Sequence, residues 1–499
     1  MRDIFDHERL SPAVSGLLPS MNPWWEGKPA KPQPPFHRWA FSITKKKLDS
    51  DLAPIVVIRG PRQVGKTTLQ MQLIEHYIKD RGIDPSRILR VQFDDLPSLR
   101  ELADPILSIG RWFESRVLKR TFNQAATDGQ PAFLFFDEIQ NIADWAIQLK
   151  SLVDTHRVKV LVTGSSALRM TAGKDSLAGR IAQVDLGTLL LREIAGIRYG
   201  ETIEPHLPHN GLDPLLLPDF WRSLQQYGLK NREIRDRAFS AFSARGGYPI
   251  AHVREETPWP EIAEQLNENV VKRAIQHDLR IGERGKRRNQ GLLEEVFLLA
   301  SRYVGQSPGQ AVFVQEVRSA LRASVSWDKI RNYLKFLDSA LLLKLIEPLE
   351  LRLKKKKGNY KLCICDHGLR ASWLREVVPL DPVALQRLSH LSDLAGHIAE
   401  SVVGYFLAGL PNMSINHFPE RDIEPEIDFI LTVGAHRIPV EVKYRQRIDP
   451  HRDTLGLRAF LEKTVYNAPF GILVTLDDTI EIPDARIIPI SLRSLLLLR

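Results

Sequence analysis

Gly60-Pro61-Arg62-Gln63-Val64-Gly65-Lys66-Thr67-Thr68 has the residue types and spacing of a loop that wraps a row of phosphates. Its glycines let the backbone turn N–H groups toward an anion, and the helix that follows adds the positive end of its dipole. Lys66 then reaches the β- and γ-phosphates, and the Thr67 hydroxyl enters the shell of a Mg²⁺ ion. The stretch therefore points to ATP and Mg²⁺ as ligands. An apolar run at 55–58 in front and a helical pattern at 69–78 behind supply the strand–loop–helix setting that separates such a loop from a solvated glycine-rich turn.

Asp137-Glu138 closes a second apolar run, 133–136. At the end of a buried strand beside the loop, Asp137 can hold the Mg²⁺ shell while Glu138 activates water against the γ-phosphate. A third run ends in Val162-Thr163-Gly164-Ser165-Ser166, bringing the Thr163 hydroxyl near the γ-phosphate position. Arg180, in the small-residue turn Leu177-Ala178-Gly179-Arg180, offers a guanidinium for transition-state charge from a neighbouring subunit or across a lid. Residue chemistry alone equally allows an ordinary surface arginine there.

A separate set of acids lies near the C-terminus. Residues 427–433, Gly434-Ala435 and residues 436–443 read as a β-hairpin, and glycine at the first turn position suits type II′. That turn pairs Val433 with His436, which sets Asp428 opposite Glu441. Ile427, Phe429, Leu431, Ile438, Val440 and Val442 share the apolar face; Asp428, Glu441 and Lys443 share the other. Two facing carboxylates repel unless a cation or proton intervenes. A divalent metal held by Asp428 and Glu441, with Lys443 positioning the attacking water, answers that cost. A salt-bridged solvent face is the alternative, and Pro439 argues for an edge strand.

These groups need a framework, and the patterning describes one. The chain has 499 residues, 43% hydrophobic and 26% charged, as expected for about three globular domains. No segment approaches a membrane span, and residues 1–7 lack a secretory core, so a cytoplasmic protein without membrane contact is expected. Cys363 and Cys365, the two cysteines, fit reduced strand residues. The formal charge of +9 is concentrated at 45–47, 284–288 and 354–357, which suits nucleic acid or solvated turns.

Residues 1–35 read as an extended, proline-rich arm docked through Asn22-Pro23-Trp24-Trp25. The runs at 55–58, 88–93, 132–136 and 158–162 are continuous rather than alternating, which predicts a parallel sheet covered on both faces. From about 205 the pattern becomes helical, at 219–226, 231–244 and 261–278, and reads as a lid. Residues 315–323 and 327–338 read as helices joined at 324–326. Strands at 341–353 and 360–365 follow, joined by a turn carrying Lys354 to Lys357. That order resembles a winged helix-turn-helix, a DNA reader or a connector between catalytic domains. Ile330, Leu334 and Leu337 form its buried stripe, leaving Lys329, Arg331, Asn332 and Lys335 outside.

Taken together, residues 59–68, Asp137-Glu138-Ile139-Gln140, Thr163-Gly164-Ser165-Ser166 and Leu177-Ala178-Gly179-Arg180 resemble a prokaryotic family of AAA+-type P-loop ATPases. Members of that family carry a C-terminal domain similar to restriction endonucleases. Asn22-Pro23-Trp24-Trp25, Gly246-Gly247-Tyr248-Pro249 and Asp366-His367-Gly368-Leu369 also match, with departures at 185–189 and at His367. The resemblance implies that Lys66, Thr67, Asp137 and Glu138 form the nucleotide site, with Thr163 as sensor and Arg180 as finger. It also implies that Asp428 and Glu441-x-Lys443 form a PD-(D/E)xK motif with Glu400 as its upstream acid and a further metal ligand. The expected fold is α/β: a P-loop NTPase parallel sheet with a helical lid, a winged helix-turn-helix and a C-terminal α/β restriction-endonuclease-like domain. The boundaries are 1–35 for the arm, 36–204 for the core, 205–289 for the lid, 290–370 for the winged helix and 371–499 for the last domain. The expected function is ATP hydrolysis coupled to DNA engagement, with metal-dependent cleavage by the last domain. A nucleotide-controlled switch that binds without cutting and a DNA-translocating motor are the alternatives, and a homo-oligomer is compatible with each.

Overall fold

The computed structural model describes residues 10–50, 52–94, 102–164, 177–207, 211–276, 289–350, 358–420 and 425–499. The basic clusters at 284–288 and 354–357, and Ser165 and Ser166, lie outside them. The chain forms two compact units, Met1–Leu186 and Gly187–Arg499.

The first unit is built on five parallel strands: β1 (Ile55–Arg59), β2 (Ile88–Gln92), β3 (Ala132–Asp137), β4 (Val158–Gly164) and β5 (Ile181–Asp185), in the order β2-β3-β4-β1-β5. Ile55, Val56, Val57 and Ile58 of β1 are all buried, as a strand covered on both faces requires. Each apolar side chain so buried contributes about 1.5–3 kcal/mol. The sequence pattern shows four of these strands and misses β5. Ile181-Ala182-Gln183-Val184-Asp185 carries polar residues because it forms one edge of the sheet and is largely half-exposed.

Within its described residues, from 10 on, the arm is partly helical rather than extended throughout. It forms α1 (Pro12–Met21), capped by Ser11 with Pro12 as its first residue, and a short 3₁₀ turn, Pro23–Glu26. Its docking follows the expectation: Asn22 Nδ2 donates to Arg90 O at 2.8 Å, and Arg90 N donates to Asn22 Oδ1 at 2.6 Å. The indole N–H groups of Trp24 and Trp25 both donate to Ile88 O. The arm thereby covers β2, the other edge, whose unpaired backbone groups would otherwise invite a foreign strand. Helix α2 (Trp39–Asp49) precedes β1, and α3 (Lys66–Lys79) leaves the phosphate-loop sequence.

In the second unit, the expected lid segments appear as helices Pro218–Lys230, α4 (Arg232–Arg245) and Trp259–Leu266. The last passes at residue 267 into a wider π-type turn. Next come α5 (Gln290–Arg302), α6 (Gln310–Leu321) and α7 (Trp327–Ser339), then the antiparallel pair β6 (Leu343–Ile346) and β7 (Lys361–Ile364). Helix α6 starts five residues before the expected position, and β6 is much shorter than the expected 341–353. Helices α8 (His367–Leu374) and α9 (Ser392–Ala408) lead to a mixed sheet. Its strands are β8 (Ser414–Phe418), β9 (Ile427–Val433), β10 (His436–Lys443), β11 (Gly471–Thr475) and β12 (Ile487–Ser491), in the order β12-β11-β10-β9-β8.

The hairpin register matches the turn argument: Gly434 has φ +59°, and the ladder runs from Val433–His436 to Phe429–Val440. The edge assignment for Pro439 is corrected, because β10 is the central strand. Proline is tolerated there because the ladder to β11 begins one residue later, at Val440.

Candidate functional site

In the first unit, β1 delivers the chain to Gly60 at the C-terminal end of the parallel sheet. A Cβ on Gly60 would lie 2.2 Å from the Leu186 carbonyl oxygen, so only glycine fits. Gln63 and Gly65 take left-handed conformations, φ +61° and +94°, which curl the loop before α3 begins at Lys66. Buried Lys66 donates through Nζ to Gly60 O at 3.1 Å and Pro61 O at 2.8 Å, so its charge lies along the loop. Arg38, missed in the sequence, is buried beneath and donates to Val64 O at 2.7 Å.

The ends of β3 and β4 bring the expected acids and hydroxyls to this loop. Thr67 Oγ1 donates to Asp137 Oδ2 at 2.9 Å, and Thr163 Oγ1 donates to Asp137 Oδ1. Glu138 N donates to Thr163 Oγ1 at 3.2 Å, tying β4 to the acid pair. Glu138 itself sits at φ +52°, a strained region for glutamate, and Gln140 Nε2 donates to its carboxylate. Arg90 on β2 was also missed: its Nη2 lies 3.1 Å from Asp137 Oδ2 and its Nε 3.1 Å from Gln70 Oε1. The signal for Arg90 was a cation inside the largely apolar run 88–93.

Arg180 does not join this group. It immediately precedes β5, and Ile181 pairs with Ile55, at the N-terminal end of β1. Five residues of parallel strand, about 16 Å at 3.3 Å each, separate that end of the sheet from the loop. Its Nε and Nη2 instead pair with Asp154, at 2.6 and 3.0 Å. Transition-state contact across a lid of the same chain is thereby corrected, because Arg180 lies at the wrong end of the sheet; its position leaves a role from a neighbouring subunit and that of a surface arginine paired with Asp154.

In the second unit, Asp428, Glu441, Lys443 and Glu400 do come together, but not on a solvent face: Asp428 is 7% and Glu441 9% exposed. Helix α9 covers them. It approaches closely because residue 404 is glycine, where a Cβ would lie 2.5 Å from Cys363 Sγ and 2.7 Å from the Phe429 ring. Lys361 of β7, absent from the sequence-based site, reaches into the cluster. Its Nζ bonds Asp428 Oδ1 and lies 3.0 Å from Glu400 Oε2. Lys443 Nζ donates to Glu441 Oε1 at 2.5 Å.

Burial works against charge throughout the cluster, and the partners decide the outcome. Burial opposes the Lys361 charge, yet Asp428, Glu400 and Glu426 more than offset it and hold its pKa above the usual value. Asp428 is likewise held below the usual carboxylate range by Lys361, against burial. Glu441 is pushed up, by burial first and then by Asp428. Among the described residues, no three Asp, Glu, His or Cys side chains converge as a metal cage.

With both sites described, comparison with known proteins adds a family for the first. Residues 53–195 match the family model described as an AAA domain. They form an AAA domain with a P-loop NTPase fold. Residues 236–378 match a family described as a domain of unknown function. An uncharacterized protein of Methanocaldococcus jannaschii is 29% identical over 185 residues, 35% of this chain and 36% of that protein. A second from the same organism is 24% identical over 315 residues, 61% of this chain and 59% of that protein. An uncharacterized protein of Mycobacterium tuberculosis is 28% identical over 145 residues, 28% of this chain and 27% of that protein. The chain thus spans less than two thirds of each of these relatives. A solved structure of the Aeropyrum pernix Orc1 protein in complex with DNA aligns with 71% of this chain and 95% of that one. Its 12% identity and TM-score of 0.27 carry no argument about this fold.

Proposed function

We propose that this chain binds and hydrolyses ATP in its AAA domain and uses the bound nucleotide to control contact with DNA. The observation that carries this reading is the meeting of Thr67, Asp137, Glu138 and Thr163 beside the 60–65 loop, at the C-terminal ends of β1, β3 and β4. This donor set fits Mg²⁺, an oxygen-seeking ion, through the Thr67 hydroxyl and the Asp137 carboxylate. When bound, Mg²⁺ neutralises charge on the β- and γ-phosphate oxygens. The loop amides of residues 62–68 cradle the phosphates, and Lys66 swings from its carbonyl partners to the β- and γ-phosphates. Glu138, released from Gln140, accepts a proton from the attacking water. Arg90 orients Asp137 through the contact of its Nη2 with Oδ2, and Thr163 ties the position of Glu138 to the γ-phosphate end of the site.

The DNA contact in this reading is made by the winged helix-turn-helix, 290–370. Its second helix, α7, buries Ile330, Leu334 and Leu337 and leaves Lys329, Asn332 and Lys335 exposed. Arg331 is half-buried and pairs with Asp328 at 2.9 Å. The arm (1–35), the ATPase core (36–204), the lid (205–289) and a restriction-endonuclease-like domain (371–499) complete the proposed organisation. The cytoplasm suits buried, free Cys363 and Cys365, whose thiols burial pushes up. No described helix is long and apolar enough to cross a membrane.

Metal-dependent cleavage by the last domain finds no support in the donor set, since the acids are bonded to lysines. The switch that binds without cutting is therefore preferred. The test is an ATPase assay with and without single- and double-stranded DNA, beside gel analysis of the same DNA. Saturable, Mg²⁺-dependent turnover altered by DNA that stays intact is expected. Absence of saturable ATP binding would refute the ATPase, and Mg²⁺-dependent cutting would refute the binding-only switch.

A further inference from the structure

The carboxylates of the second unit have an unusual feature: five of the six oxygens of the three expected metal ligands lie within hydrogen-bond distance of a donor of this chain. Asp428 Oδ1 takes Lys361 Nζ, and Asp428 Oδ2 accepts from Val442 N at 2.8 Å. Glu441 Oε1 takes Lys443 Nζ, and Glu441 Oε2 accepts from Asp428 N at 3.4 Å. Glu400 Oε2 faces Lys361 Nζ at 3.0 Å, and Glu400 Oε1 faces His397 Nδ1 at 3.7 Å. Lys361 and Lys443 thus face Asp428, Glu400 and Glu441, and Glu426 Oε1 lies 3.9 Å from Lys361 Nζ. Lys361 is 2% exposed and also lies 5.1 Å from the centre of the Phe429 ring, an apolar and cation-stabilising wall.

A buried lysine persists only where paired acids repay its desolvation, and paired acids persist only where a cation repays theirs. We propose that Lys361 is the resident cation of this cluster. It stands where a divalent metal would otherwise bridge Asp428 and Glu400, which makes the C-terminal domain a metal-independent binding module. This inference deepens the binding-only reading and rests on it. Its chemistry is specific: one ammonium on β7 supplies the positive charge, and the strand that follows the wing carries it.

The experiment titrates Mn²⁺ into nucleotide-free full-length protein, reading free Mn²⁺ by electron paramagnetic resonance. Wild type and Asp428→Asn should bind Mn²⁺ alike. Lys361→Met, which frees Asp428 and Glu400, should gain one site at least tenfold tighter than any in wild type, and Lys361→Met/Asp428→Asn should lose it. Should Lys361→Met fail to fold, the comparison of wild type with Asp428→Asn still decides. An Asp428-dependent Mn²⁺ site in wild type overturns the proposal. If that site appears while DNA stays intact, the resident-cation idea fails but the binding-only reading survives; if wild type also cuts DNA with Mn²⁺, both fail.

Discussion

Gly60→Ala tests the nucleotide site at its tightest point. The new Cβ would fall 2.2 Å from Leu186 O, where ordinary contact begins at 3.4 Å, so 1.2 Å must be found. The obstacle is backbone and cannot rotate away. Leu186 is anchored on the other side, donating from its N–H to Arg59 O at 2.7 Å. If Leu186 yields, that buried hydrogen bond is lost, at about 1–3 kcal/mol. If Gly60 yields, the first turn of the phosphate loop moves by about 1 Å, a displacement that costs on the order of a hundredfold in a positioned site. Nucleotide affinity should therefore fall by about tenfold to a hundredfold. Gly129→Ala is the control: its φ is +70° but nothing lies within 4 Å of the added Cβ. It should cost about 1–2 kcal/mol of stability and leave affinity unchanged. Calorimetric titration with ADP and Mg²⁺, beside circular dichroism to verify folding, reads both. A folded Gly60→Ala protein that binds ADP within twofold of wild type would refute the close-approach argument.

Glu138→Gln should retain ATP but slow turnover by about a hundredfold or more, read by phosphate release; undiminished hydrolysis would place the base elsewhere. Arg180→Ala should leave turnover unchanged at dilutions where the protein is monomeric, and remove any rise with protein concentration. A loss independent of concentration would contradict its position at the far end of the sheet. His252 donates to Gly246 O at 2.7 Å, and burial lowers its pKa to about 4. Between its unfolded value of 6.5 and about 4, the unfolded chain takes up a proton that the folded chain refuses. Stability contributed above pH 6.5 is therefore lost as pH falls toward 4, by at most about 3 kcal/mol. His252→Gln should lessen the pH slope of urea-unfolding stability over that window, with buried His367 still contributing a slope of the same sign; an unchanged slope would show that His252 is not held neutral.

The two departures from the resemblance found structural partners inside the second unit. Leu189 N donates to Gly247 O at 2.7 Å, and Gly247 N donates to Asp366 Oδ2. A Cβ on Gly246 would strike Asp366 Oδ1 at 2.3 Å, so the two motif turns are built against each other. His367 fits because its Nε2 donates to Ser243 O at 3.2 Å on α4, within a buried setting that keeps it neutral.

What the sequence alone determined is the chemistry encoded by neighbouring residues. The phosphate loop, the Asp137-Glu138 strand end, four continuous apolar strands and the Val433–His436 register each depend on spacing within a few residues. Strand periodicity and turn chemistry are local, so they were legible. Tertiary structure decided which side chains meet across long separations. Arg90 reaches Asp137 from a neighbouring strand, Arg180 lies at the far end of the sheet, and Lys361 enters acids 39 and 67 residues away. No local pattern marks such pairings. The energy that selects them, one buried charge repaid by another, exists only after the elements have packed.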